Sequence, residues 1–188
     1  MLNGLLIKNR SVRSFKSDKL PYKHLEEMVA ATRYCASAQN LQPLKYLIAC
    51  SDKNSQIILN NVKFGGYLPA GTTPKAGGQA QNFILICADT SVSTNQNCYN
   101  IDAGIAAQTI TLKATEMGYS GCMLKSFNEQ RLSAELNLQE NLVPVLAIAL
   151  GVGDEVCKTE DYSGSIKYYR ACGEHIVPKR NLKDIIIK

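Results

Sequence analysis

The chain has 188 residues, of which 45% are hydrophobic and 20% are charged, and its formal net charge is +5. This composition is typical of one globular domain with a substantial core, so we expect a single domain over residues 1–188. No apolar run is long enough to cross a bilayer, and no basic segment at the N-terminus leads into a long apolar stretch. The sequence therefore predicts a cytoplasmic protein without a membrane anchor.

The cysteine and histidine content argues against a metal centre. The seven cysteines form an odd set without a Cys-x-x-Cys pair, and the chain has only two histidines. Several cysteines lie inside apolar runs, where a thiol behaves as a small hydrophobic group, so we favour structural thiols over disulfides or metal ligands.

Basic residues are dispersed and not interleaved with aromatic ones, which argues against nucleic-acid binding. An anionic cofactor accounts for the positive charge equally well.

Two polar motifs near the N-terminus carry the first functional signal. The stretch Arg10-Ser11-Val12-Arg13 offers two charged, forked donors and a hydroxyl to one phosphate. A solvated surface cluster is the alternative for this motif taken alone. The run Ser37-Ala38-Gln39-Asn40-Leu41-Gln42-Pro43 offers short polar donors to a heterocycle. Together the two motifs predict a mononucleotide site.

The first half of the chain contains one clear helix and two strands. Pro21 can begin a helix in which Leu25, Met28, Val29 and Thr32 share one face. Residues 44–50 and 83–88 are short apolar runs typical of buried strands. Residues 65–79 contain five glycines and two prolines, which predicts a loop that either covers a cofactor or simply connects its neighbours.

The second half begins with a helix rich in small residues. Asp102 is the expected N-cap, and Gly118 is the expected stop. Its wide apolar surface predicts burial, either in the core of one subunit or between subunits. Residues 143–150 form a strand in which Pro144 indicates an edge or a strand start. The terminal run from Leu182 to Lys188 is rich in isoleucine and must pack on something to avoid aggregation.

Six motifs, in order and at about the expected spacing, resemble the FMN-dependent nitroreductase family. They lie at residues 5–15, 37–43, 102–108, 118–127, 149–155 and 177–182. The resemblance implies an α+β fold with a central mixed or antiparallel sheet flanked by helices. It also implies an intertwined homodimer in which the small-residue helix lies at the interface and the C-terminal segment wraps around the partner.

The resemblance further implies which residues bind FMN. The phosphate is assigned to Arg10, Ser11 and Arg13, assisted by Lys179 or Arg180, although a solvated terminal pair is the alternative for the last two. Arg13 or another donor of the first motif is expected near flavin N1. A backbone amide of Met123-Leu124-Lys125-Ser126, with Leu124 and Lys125 closest, is expected at N5. Lys125 departs from the small or acidic residue common in the family, which affects the redox potential and the preferred substrate charge.

The polar loop is expected to reach the flavin across the dimer interface. Its matching residues are Ala36, Ser37, Ala38, Asn40 and Gln42. Ala36 stands where the family usually has proline, and neither this change nor Leu44 in place of tryptophan removes a donor. Gln42 and Pro43 could instead serve only to end the loop.

The implied activity is hydride transfer from NAD(P)H through FMN to a nitroaromatic, quinone or similar small-molecule acceptor by a ping-pong mechanism. No catalytic side chain is required, because the cofactor supplies the chemistry. A flavin-dependent dehydrogenase or oxidase of the same fold, and a nucleotide-binding module without redox activity, remain alternatives.

Overall fold

The computed structural model describes residues 2–50, 52–69 and 71–187, and these contain five α-helices and seven β-strands. The helices are α1 (Leu2–Lys8), α2 (Tyr22–Ala31), α3 (Lys53–Asn61), α4 (Gln96–Glu116) and α5 (Glu129–Leu136). The strands are β1 (Leu44–Cys50), β2 (Asn82–Asp89), β3 (Ser120–Leu124), β4 (Leu142–Gly151), β5 (Val156–Asp161), β6 (Tyr169–Ala171) and β7 (Glu174–Lys179).

Four strands form the main sheet, in the order β1-β2-β4-β3, and every neighbouring pair is antiparallel. β2 is buried along its whole length because both faces of the sheet are covered. Ile84 and Ile86 face the layer that contains α2 and α4, whereas Phe83 and Leu85 face the layer that contains α3 and α5. This arrangement confirms the predicted α+β fold with helices flanking the sheet, which is antiparallel.

The three predicted strands are confirmed as β1, β2 and β4. Pro144 lies near the start of β4, before β3 begins to pair with that strand at Ala147. The register between β2 and β4 shifts between Ile86 and Cys87, so the proline sits beside an irregularity with only one neighbouring strand. The strand-start alternative is therefore the one observed.

The predicted start of the long helix was wrong. α4 begins at Gln96, and the side chain of Asn95 accepts a hydrogen bond from the Cys98 N–H as its N-cap. Asp102 lies inside the helix and is buried. The predicted stop is confirmed, because Gly118 follows the helix with φ of +83°, a left-handed conformation that glycine adopts without strain.

A second, smaller sheet has the order β5-β7-β6, with β5 parallel and β6 antiparallel to β7. Residues 65–69 and 71–79 contain turns but no helix or strand, which confirms the predicted loop. This loop contacts the small sheet, because the Arg170 guanidinium donates to the Thr72 carbonyl at 2.6 Å. Tyr67 and Tyr168 also stack edge to face there, with ring centroids 5.1 Å apart.

α4 presents apolar residues in two directions. Ala103, Ala106 and Ala107 are buried in the core, whereas Ile101 and Ile105 are 65% and 38% exposed on the opposite side. Exposed large apolar side chains also cluster on α1 and in the C-terminal run, among them Leu2, Leu6, Ile7, Leu182, Ile185, Ile186 and Ile187. The C-terminal isoleucines therefore do not pack into the core of their own chain.

Within the part of the chain that the structure describes, no helix is both long and apolar enough to cross a membrane.

Candidate functional site

The first motif runs along the free edge of β3. Ser11 forms a parallel bridge with Gly121, and the Val12 N–H donates to the Gly121 carbonyl at 3.1 Å. Phe15 then pairs with Gly153 and is almost fully buried against the end of β4. The short segment from Arg10 to Arg13 is therefore held at a defined position on the sheet edge.

Arg10 lies at this edge, and its positive charge acts on Lys179 at the end of β7. The Arg10 Nη2 donates to the Leu6 carbonyl at 2.5 Å, at the C-terminal end of α1. Its Nε is buried and has no hydrogen-bond partner among the described residues. The pKa of Lys179 is lowered, first by partial burial and then by the Arg10 guanidinium. A buried unpaired donor beside a second cation is an arrangement that an anion would stabilise.

Arg13 is turned into the protein instead. Its side chain is buried, and its Nη1 donates to the Ser11 carbonyl and to the ring of His175, both at 3.0 Å. The Arg13 guanidinium also lies over the Tyr168 ring, 4.6 Å from its centroid. The Arg13 backbone N–H donates to the Glu155 carboxylate.

These residues form one connected group, which we call the Arg13 cluster. Its members are Arg13, Glu155, Tyr168, Arg170 and His175. The Glu155 side chain is 2% exposed and forms an ion pair with Arg170 at 2.9 Å. Burial, followed by the Arg13 guanidinium, lowers the pKa of His175. Because guanidinium only donates, His175 Nε2 accepts and the ring is neutral, with its proton on Nδ1.

The segment expected at flavin N5 continues from the same edge strand. Met123 and Leu124 end β3, and the Ser126 carbonyl accepts from the Lys63 N–H at 3.1 Å. Lys125 forms an exposed ion pair with Glu129, with Nζ and Oε1 2.7 Å apart. The positive charge of Lys125, which sets this chain apart from the family pattern, is thus partly balanced by the carboxylate of Glu129.

The polar loop is anchored on α4 through Asp102. The Ser37 hydroxyl donates to this carboxylate at 2.6 Å, and the Ala38 N–H donates to it at 3.2 Å. The Gln42 N–H donates to the Ser37 hydroxyl at 3.0 Å. Asn40 has φ of 54° and accepts from the Gln42 side chain, so the loop carries its own polar network.

The loop borders a cleft of about 180 Å³. Ala36, Ser37, Gln42 and Asp102 line it, together with Tyr46 on β1. Ala36 and Gln42 are exposed, and Ser37 is half-buried. This cleft is therefore a second group of polar residues, separate from the sheet edge at β3.

The predicted site residues form two groups, and within one chain these groups lie at opposite edges of the main sheet. The first motif, Met123–Ser126 and Lys179 are associated with the β3 side of the sheet. The polar loop leads into β1, at the opposite edge of the same sheet. Three strand spacings of about 4.8 Å separate those edges, or roughly 14 Å. Among the described residues, no hydrogen bond or ion pair links the loop to the first motif.

Arg180 lies outside both groups. Its guanidinium is over the Tyr162 ring, 5.5 Å from the centroid, and the residue is exposed. Of the two C-terminal cations, Lys179 is the one whose pKa the Arg10 guanidinium lowers.

Sequence reasoning missed four members of the Arg13 cluster and the anchoring role of Asp102. Glu155 and His175 lie 142 and 162 residues from Arg13 along the chain. No local pattern can pair groups at such separations. One local feature pointed to Glu155: it follows a predicted strand and ends the motif at residues 149–155, which carries part of the family resemblance.

A family model described as "Nitroreductase family" matches residues 6–152. The chain belongs to the nitroreductase family. The match includes the first motif, the polar loop, α4 and the β3 edge, and it ends before the small sheet. A comparison with curated proteins found no significant match.

Solved structures of the nitroreductase family share this fold. A family protein from Clostridium novyi NT is 25% identical with a TM-score of 0.70, over 82% of this chain and 86% of that one. An FMN-dependent nitroreductase from Clostridium difficile R20291 is 23% identical with a TM-score of 0.66, over 84% and 90%. A candidate nitroreductase from Desulfovibrio desulfuricans, solved in complex with FMN, is 20% identical with a TM-score of 0.68, over 82% and 87%.

Proposed function

We propose that this nitroreductase-family chain is an FMN-dependent oxidoreductase that uses NAD(P)H to reduce nitroaromatic, quinone or similar small acceptors in a ping-pong cycle. The observation that carries the proposal is the buried, unpaired Arg10 Nε at the β3 edge, and the Arg10 guanidinium also lowers the pKa of Lys179. Similar proteins that are FMN-dependent or were solved with FMN support the choice of cofactor. The donor and the acceptors follow from the family resemblance.

The residues at the β3 edge fit a phosphate-bearing cofactor. Arg10 and Lys179 supply positive charge, and Ser11, which follows Arg10 in the chain, is exposed. Backbone groups of Met123–Ser126 would face the ring system further along the strand. When bound, FMN supplies hydride acceptance and release at its N5 position. The protein's own contribution is to bind, orient and shield that cofactor.

We also propose that the working unit is a homodimer, because one chain leaves the polar loop on the far side of its sheet. A second copy would bring its Ser37–Gln42 loop to the β3 edge of the first. The exposed apolar residues on α1, α4 and the C-terminal run provide a surface for such a contact. Exposed apolar patches of this kind commonly mark interfaces between subunits.

The test is an absorbance spectrum of the purified protein, with and without added FMN, followed by anaerobic addition of NADH or NADPH. We expect the absorbance of oxidised flavin, and we expect it to bleach when the nicotinamide is added. Failure to bind FMN after reconstitution would reject the cofactor assignment. A bound flavin that neither nicotinamide bleaches would reject the donor.

The variant Arg10→Gln tests the phosphate contact. We expect the affinity for FMN to fall by about tenfold, as for one lost charge-assisted hydrogen bond, while riboflavin binding changes little because riboflavin lacks the phosphate. Arg131→Gln is the matched control, since Arg131 is an exposed cation paired with Glu135 on α5. Equal losses for FMN and riboflavin would contradict a phosphate contact by Arg10.

A further inference from the structure

The Arg13 cluster links three parts of the chain that are far apart in sequence. Arg13 lies in the N-terminal segment, Glu155 follows β4, and His175 lies on β7. Arg170 extends the group to the loop at residues 65–79, because it donates to the Thr72 carbonyl and to the Thr73 hydroxyl as well as to Glu155. The cluster is therefore the junction of the first motif, the small sheet and this loop.

Within this junction, the described contacts of the Arg13 side chain are all made to other residues of its own chain. Its Nη1 contacts Ser11 and His175, and its planar face covers Tyr168. The Arg13 side chain donates to the carbonyl of Ser11 within the same motif. The Arg13 backbone N–H donates to the Glu155 carboxylate. Both contacts fix the backbone that presents Arg10 and Ser11.

We propose that Glu155 and His175 are positioning residues that act through Arg13 to hold the Arg10–Arg13 segment in the shape that binds the cofactor phosphate. Arg13 thus serves as the link between the segment and the small sheet. The part of this inference that concerns the phosphate rests on the proposed function. The part that concerns the segment's shape does not require a cofactor.

The charge balance of the cluster makes it sensitive to pH. The groups that face His175 are Arg13, Glu155, Cys157, Tyr168 and Arg170. With His175 neutral, the cluster contains two guanidinium groups and one carboxylate. Protonation would add a third positive charge and would remove the acceptor used by Arg13.

The sign of the pH effect follows from the lowered pKa of His175. The contact with Arg13 is fully present above the ordinary histidine value of about 6.5, and it is lost as the pH falls below that value toward the folded-state pKa. The Arg10–Arg13 segment should therefore loosen as the pH falls toward the folded-state pKa of His175.

The first experiment measures hydrogen exchange in FMN-free protein at pH 8. In Glu155→Ala, the carboxylate is removed, so the contacts with both Arg13 and Arg170 are lost. We expect exchange about tenfold faster in peptides covering residues 9–16 and 65–79, as for one lost charge-assisted contact. Lys158→Gln is the control, because it removes an exposed ion pair with Glu174 in the same small sheet. Unchanged exchange in both peptides would overturn the proposal.

The second experiment compares FMN affinity between pH 8 and pH 5 for the wild type and His175→Gln. Glutamine can accept from Arg13 but does not titrate. The titration of the FMN phosphate, near pH 6, is common to both proteins. We expect the wild type to lose about tenfold more affinity than the variant as the pH falls. Superimposable profiles would overturn the role of His175.

The two experiments separate this inference from the proposed function. If the wild type binds no FMN at any pH, the proposed function fails, and hydrogen exchange still decides whether the cluster positions the segment. For that case, exchange of residues 9–16 is also compared at pH 8 and pH 5 in the wild type and His175→Gln. Because intrinsic amide exchange slows as the pH falls, the two pH values are compared as protection relative to the intrinsic rate. A loss of protection at pH 5 confined to the wild type supports the proposal, and equal changes in both proteins overturn it.

Discussion

Asp102 shows how one buried carboxylate can shape a loop that belongs to another element. A charged group buried at 4% exposure is stable only if it is hydrogen-bonded, and Ser37 and Ala38 supply those bonds. The residue was predicted as an N-cap because aspartate before an apolar helical run is typical of one. The same capping chemistry is present, but it serves the polar loop instead of α4.

The variant Asp102→Asn should weaken this anchor. Asparagine offers one acceptor oxygen where aspartate offers two, and it removes the charge assistance. We expect the free energy of unfolding to fall by about 1–3 kcal/mol, measured by urea denaturation. Glu116→Gln, at the exposed end of the same helix, should leave that free energy almost unchanged. A wild-type value for Asp102→Asn would show that the two contacts do not hold the loop.

Arg10 and Arg13 show that two similar residues in one motif can have different surroundings. From the sequence, both arginines are predicted to contact the cofactor phosphate together with Ser11. The structure leaves Arg10 with a buried free donor and surrounds Arg13 with His175, Tyr168 and Ser11. Residue type alone could not distinguish them, because the partners of Arg13 come from distant parts of the chain.

At the scale of elements, the position of the N-terminal segment requires Phe15 to pack closely against the end of β4 at Gly151. Phe15 is 2% exposed and packs directly over Gly151, where a Cβ atom would lie 2.8 Å from Phe15 Cδ1. The backbone of the same region is tied by the Lys16 N–H, which donates to the Val152 carbonyl at 2.9 Å. The glycine is thus needed for space at this crossing.

Gly151→Ala should therefore be destabilising. The added methyl group must displace the Phe15 ring or the strand, and overpacking of this kind costs about 1–3 kcal/mol. Thermal and urea unfolding would measure the loss. Gly66→Ala is the control, because a Cβ at Gly66 would meet nothing within 4 Å. Equal stability of the two variants would contradict the tight crossing at Gly151.

At the scale of the whole molecule, the distribution of exposed apolar residues matches the proposed homodimer. Ile101 and Ile105 lie one helical turn apart on the outer side of α4, and Ile185–Ile187 are exposed in the C-terminal run. Leaving all of them in water would be unfavourable, by about 25 cal/mol for each Å² of apolar surface. A second copy of the chain would cover this surface.

Light scattering tests the dimer directly. We expect a wild-type mass twice that of the 20.6 kDa chain. The double variant I101K/I105K should have the mass of one chain, because burying two lysines without partners is costly, and it should also lose bound FMN. V92K changes an exposed apolar residue in the turn after β2 and should remain dimeric. A monomeric wild type would reject the proposed assembly.

The sequence by itself determined the elements whose signals are local. Apolar runs bounded by turn-forming residues predicted β1, β2 and β4, and Gly118 marked the end of α4, because backbone propensity and burial act over a few residues. The family motifs predicted the fold class and assigned the site residues. The start of α4 was missed because Asn95 and Asp102 are both competent caps, and the polar first turn hides the true start.

Only the tertiary structure decided how the predicted site residues are distributed. Of the two C-terminal cations, it brought Lys179 and not Arg180 under the influence of the Arg10 charge. It also enclosed Arg13 with Glu155 and His175 and left the polar loop at the opposite edge of the sheet. These outcomes depend on contacts between residues more than a hundred positions apart and on the order of strands in the sheet. Such contacts are set by packing of the whole chain, and for that reason no local pattern in the sequence contains them.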